Sequence, residues 1–120
     1  MKKTVMDLIT HDPATDEFVI YIVESPPWGE DALDQRLREI QDKIYDAFDI
    51  AVDGHLAKRF PTSSGKAIRI QVDLRGNAPA DVKEFVRKMS SHLGSDMEMV
   101  TAVKGSTYLS GLRLVSVEKE

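Results

Sequence analysis

The stretch SPPWGEDALDQRLREIQDKIYDAFDIAVDG, Ser25 to Gly54, decides the fold. From Leu33 its apolar residues recur at Leu37, Ile40, Ile44, Ala47 with Phe48, and Ala51, three or four positions apart, which lines them up along one side of an α-helix. Pro26 and Pro27 end whatever precedes them, because neither can donate to a strand ladder and each biases its predecessor toward an extended backbone. With Gly29 as N-cap, Trp28 and Leu33 take the two positions of a hydrophobic staple, and Glu30 and Asp31 suit the positive end of the helix dipole.

Upstream, Thr4–Thr10 and Glu17–Glu24 are rich in Val, Ile, Phe and Tyr and flank Asp12-Pro13-Ala14-Thr15-Asp16, which has the residues of a turn, so they read as an antiparallel hairpin. Downstream of Gly54, Leu56 and Phe60 continue a four-residue spacing up to Pro61 and suggest a second, short helix. Ile68, Ile70, Val72 and Leu74 alternate with Arg69, Gln71, Asp73 and Arg75, the pattern of a strand with one buried and one polar face. Pro79 then opens a helix whose stripe is Val82, Phe85, Val86, Met89 and Leu93, ending at Gly94. Met97–Lys104 and Leu112–Glu118 read as two further strands joined by a loop over Gly105–Gly111. The order ββα(α)βαββ predicts an α+β two-layer sandwich over residues 1–120, one domain, with helices on one face of a mixed five-stranded sheet. The sheet order stays open, and the chain from Ile68 to Val103 could form a right-handed parallel crossover.

Composition narrows the function classes. The 120 residues are 42% hydrophobic and 30% charged, the balance of an ordinary folded domain. A net charge of −4 gives no general attraction to phosphate backbones or anionic lipid, so nucleic acid and membrane are disfavoured as partners. With no cysteine there is no disulfide, thiolate metal site or thiol nucleophile, and nothing asks for an oxidising compartment; the expectation is a cytoplasmic protein. Met1-Lys2-Lys3 begins like a signal peptide, but Asp7, His11 and Asp12 interrupt the apolar run.

No motif for a reaction stands out. Ser64-Gly65-Lys66 resembles a fragment of a phosphate loop, yet Phe60 stands where its first glycine belongs, Ala67 follows the lysine, and a strand comes next. His11, Asp12 and Asp16 lie close enough in sequence to hold a cation, although the spacing matches no known ligand set and Asp-Pro turns arise for local backbone reasons. His55 and His92 sit near helix C-termini, where the dipole alone favours histidine. Lys58, Arg59, Lys66, Arg69 and Arg75 with Phe60 form the densest basic region, without the basic pI of a nucleic-acid binder. These residues assign no catalytic group, no metal site and no cofactor.

Several segments together, Asp7-Leu8-Ile9-Thr10-His11-Asp12-Pro13, Pro27-Trp28, Val52-Asp53-Gly54-His55-Leu56, and Phe60-Pro61 to Gly65-Lys66 leading into Ile68-Arg69-Ile70, resemble a family of short bacterial proteins described only as a domain of unknown function. The resemblance covers the first two thirds of the chain and implies a bacterial cytoplasmic protein, with no residue of assigned catalytic role.

The sequence therefore favours a non-enzymatic interaction module, working as a homodimer or as an immunity- or antitoxin-type binder of a protein partner. Its surface would use part of the sheet face, or Trp28, Tyr45 and Ile50, which fall off the main helical stripe, with Asp42 and Asp46 on the acidic helix face meeting a basic partner. The alternative is a small enzyme or ligand-binding protein with His11, Asp12 and Tyr108 brought together between the first hairpin turn and the 105–111 loop.

Overall fold

A computed structural model describes residues 8–29 and 32–119. The described elements run β1 (Ile9–Asp12), β2 (Glu17–Glu24), α1 (Leu33–Asp53), α2 (His55–Arg59), a single 3₁₀ turn (Pro61–Ser63), β3 (Lys66–Arg75), α3 (Ala80–Ser95), α4 (Met97–Gly105) and β4 (Leu109–Lys119). The fold is α+β, and the strands form one mixed sheet in the order β1-β2-β3-β4. β1 and β2 are an antiparallel hairpin, while β2, β3 and β4 are mutually parallel.

Parallel neighbours cannot be joined by a tight turn, so each needs a crossover. The first crossover is α1 with α2, and the second is α3 with α4. Because β3 and β4 are each added on the same side of the preceding strand, two crossovers of one hand place both helical layers on the same face of the sheet. The core lies there: Ile20, Ile22, Ile68, Ile70, Val72 and Leu114 from the sheet meet Ile40, Ile44, Phe48 and Ala51 of α1 and Val82, Val86, Met89 and Leu93 of α3. Ile44 is completely buried, so Ile44→Ala is expected to cost about 3 kcal/mol through lost transfer energy and a residual cavity. Urea unfolding should show this as a lower midpoint with an unchanged slope.

Three expectations need correction. Met97–Lys104 is a helix, leaving four strands among the described residues instead of five. Asp96 ends α3 in an extended conformation and accepts the Met99 N–H at 3.1 Å, capping α4. Met99, Ala102 and Val103, spaced i, i+3, i+4, then pack on the core as a helical stripe. The second hairpin is accordingly absent, and β4 pairs parallel with β3. Third, α1 begins at Leu33 with Ala32 as its N-cap, so Gly29 does not cap it and Trp28 is no staple. The indole is buried and donates its Nε1–H to the Gly76 carbonyl at 3.2 Å, tying the segment after β2 to the turn after β3. Of the expected first strand, Thr4–Asp7 lie outside the described residues, as do Glu30 and Asp31; His11 and Asp12 belong to the strand, paired with Phe18 and Glu17.

Arg36 of α1 organises the segment after β2. It donates to Glu24 Oε1 at 2.9 Å and to the carbonyls of Pro27 and Ser25 at 2.9 and 2.7 Å, and lies over the Trp28 ring at 4.6 Å. Lys43 adds a 2.7 Å contact to the other Glu24 oxygen, so this buried carboxylate is met by two cations.

Candidate functional site

One face of the sheet has no helix packed on it among the described residues. Register assigns its side chains: Thr10 and Asp12 from β1; Glu17, Val19, Tyr21 and Val23 from β2; Ala67, Arg69, Gln71, Asp73 and Arg75 from β3; and Gly111, Arg113, Val115, Val117 and Lys119 from β4. Leu8 extends the hairpin, since its carbonyl accepts from the Tyr21 N–H at 2.8 Å, and so joins this face opposite Tyr21. Leu8 is 47% exposed and Val23 37%, among the few large apolar side chains open to solvent. Tyr21, Val115 and Val117 are half-buried.

The end of the face nearest the hairpin turn is an ion-pair lattice. Glu17 is buried, and both its oxygens are held by Arg113, through Nε at 2.8 Å and Nη2 at 2.9 Å, while Arg69 Nη1 donates to Oε1 at 2.8 Å. The Arg113 hydrogen bonds are the largest influence on the Glu17 carboxyl and, outweighing burial, hold it down to about 2. Arg69 also reaches Asp12 at 3.0 Å, and that hydrogen bond lowers the Asp12 carboxyl. Asp16 accepts from Lys66 at 2.8 Å and meets His11 Nε2 at 2.8 Å; the lysine, then the histidine, lowers it. Asp12 and Asp16, weighed as cation ligands, are thus engaged by basic side chains. Further along β3, buried Asp73 accepts from Gln71 at 2.8 Å. Counted over the register, three carboxylates (Asp12, Glu17, Asp73) face four cations (Arg69, Arg75, Arg113, Lys119), so the face is nearly balanced while the whole chain carries −4.

The other candidate residues lie elsewhere. Trp28 belongs to the core, and Tyr45 and Ile50 are half-buried against it. Asp42 is exposed and Asp46 half-exposed on α1. His11 sits on the helix-covered face, 5.1 Å from the Phe18 ring, whereas Tyr108 lines a cleft with Asp53, Gly54, His55, Lys58 and Ser64 that includes neither His11 nor Asp12. The proposed trio is therefore not gathered in that cleft. Sequence reasoning missed Glu17, Arg36 and Arg113 as organising residues; for Glu17 and Arg113 the available signal was charge at alternate positions on strands, which marks a face with no apolar layer over it, whereas nothing local marks Arg36 on α1.

Among the described residues no helix is long and apolar enough to cross a membrane. No curated protein and no solved structure matches the chain. A family model covers residues 1–104, and the chain belongs to that family, the family of unknown function DUF6572.

Proposed function

We propose that the protein is a cytoplasmic, non-enzymatic interaction module that works as a homodimer, two copies packing their open sheet faces together. The observation that carries this is the three-stranded parallel block β2-β3-β4, which among the described residues has helices on one side only. Parallel strands are almost always covered on both faces, because their crossovers and partners bury them. Here the second cover is supplied by another copy, with Leu8, Tyr21, Val23, Val115 and Val117 as its apolar contacts.

Size and charge favour a second copy as the occupant. Four strands spaced about 4.8 Å apart and some 8 residues long present roughly 500 Å² in plan, which doubled gives about 1,000 Å², the lower limit for a specific interface. A nearly balanced face does not repel its own duplicate, whereas a strongly basic partner would find its acidic complement on α1 instead. Sheet-on-sheet packing at about 10 Å with a modest angle is a standard arrangement.

Sedimentation equilibrium tests the proposal. The expected result is a monomer–dimer equilibrium with a dissociation constant on the order of micromolar, in keeping with the small footprint. A single 13.4 kDa species at every concentration up to about 1 mM would remove it.

A further inference from the structure

The cleft beside Tyr108 is separate from the open face and is built around one glycine. α1 ends at Gly54, which adopts φ +97° and is followed at once by α2. The Tyr108 ring lies against it so closely that a Cβ at residue 54 would come within 2.8 Å of the ring's Cζ and Cε2 atoms. The segment carrying the tyrosine is pinned on three sides. Ser106 Oγ donates to the Val52 carbonyl at 2.8 Å and accepts the Tyr108 N–H at 3.2 Å, and the Tyr108 carbonyl accepts the Gly65 N–H at 3.0 Å. The ring is nonetheless 42% exposed, so it contributes little to the core that would explain such fixing.

Polar groups converge around it. Asp53 Oδ1 accepts the His55 backbone N–H at 3.0 Å and meets His55 Nδ1 at 2.8 Å, which leaves Nε2 as the imidazole nitrogen open to a ligand. Lys58 makes no ion pair among the described residues, and Ser64 adds a hydroxyl. Among the described residues the only carboxylate in the lining is Asp53, already occupied by His55. The volume is about 530 Å³, within the range of small-molecule sites.

We infer that this cleft binds a small planar-ring anion, the ring stacking on Tyr108 and one phosphate or carboxylate meeting Lys58, Ser64 and His55. A fixed, half-exposed aromatic supplies stacking at little entropic cost, and an unpaired ammonium beside hydroxyl and imidazole groups suits a compact anionic head. The reading is independent of dimerisation.

The test is a titration of the full chain, followed by NMR of the Tyr108 ring and the His55 imidazole, with adenosine 5′-monophosphate, benzoate and inorganic phosphate as probes. At least one ring-bearing anion should shift both residues saturably with a dissociation constant of about 1 mM or below, at least tenfold tighter than phosphate alone. Phenyl phosphate, which shares the benzoate ring, completes the set, and the tighter binder of that pair names the head group. Tyr108→Leu and Lys58→Gln, both at exposed side chains, should each weaken that binding about tenfold while leaving the fold unchanged. Absence of a saturable shift, phosphate binding as tightly as either ring-bearing anion, or affinity indifferent to Tyr108→Leu would overturn the inference.

Discussion

Val23→Lys is expected to leave the protein folded and monomeric, with the dimer dissociation constant raised at least ~100-fold. Val23 is 37% exposed in the single chain and its strand neighbour across the sheet is Asp73, so a lysine at this position has water and a carboxylate within reach and costs the monomer little. Once two sheets close to about 10 Å, the same ammonium is caught between them. Burying a charge without a fully formed partner costs several kcal/mol, more than the ~2.7 kcal/mol that a hundredfold change requires. The control is Asp42→Lys on α1, an exposed position on the opposite layer, which should leave self-association as it was. The reverse outcome, a dimer that survives Val23→Lys and is lost in Asp42→Lys, moves the interface to the acidic face of α1.

The second large effect concerns Glu17. Its carboxylate is buried and shared by two guanidinium groups, so Glu17→Gln leaves Arg69 and Arg113 facing one another without the charge that joins them, at a cost of about 3 to 5 kcal/mol. The same pairing sets an acid limb of stability. Glu17 titrates near its ordinary 4.5 in the unfolded chain and at about 2 when folded. The unfolded state therefore takes up this proton first as pH falls. The stabilisation is complete above pH 4.5 and drains away as the pH drops from there to about 2, amounting to about 3 kcal/mol by linkage. Urea midpoints measured at intervals across this window should fall steeply in the parent chain and more shallowly in Glu17→Gln. Asp16→Asn, at an exposed pair in the adjoining turn whose carboxyl is lowered as well, should flatten the curve less than Glu17→Gln does. Equal slopes for the parent and Glu17→Gln would show that Glu17 is not the group responsible.

Much of this architecture is legible in the chain because it is local. The stripes of α1 and α3, the first hairpin, the break at Gly54 and the alternation of β3 depend on spacing within a few residues, and the structure repeats them. The failures arise where distant parts of the chain decide. Met97–Lys104 reads as a strand taken alone, and the Asp96 cap and the packing of Met99, Ala102 and Val103 on the core select the helix. Losing that strand also changes the direction of β4, from one arm of an antiparallel hairpin to a parallel neighbour of β3. Trp28 looked like a local staple because its actual partner, the Gly76 carbonyl, lies 48 residues away. The open face had the same cause: alternation on β3 marks a polar side, but which side carries the helices follows from strand order, which periodicity does not contain. Glu17 and Arg113 are 96 residues apart and meet only because β2, β3 and β4 lie side by side.

The most direct measurement of the proposed dimer is a pulsed electron-spin distance between nitroxide labels attached at a single introduced cysteine, which is unambiguous because the chain has none of its own. Val115→Cys places the label on the open face, midway along the edge strand β4, and Arg87→Cys places it on exposed α3 in the helical layer. Face-to-face sheets about 10 Å apart predict a short distance for the residue 115 pair, about 20 Å or less, and one of about 30 Å or more for the residue 87 pair, across two sheets and two helical layers. A short distance between the labels at 87 together with a long one between those at 115 would contradict the account.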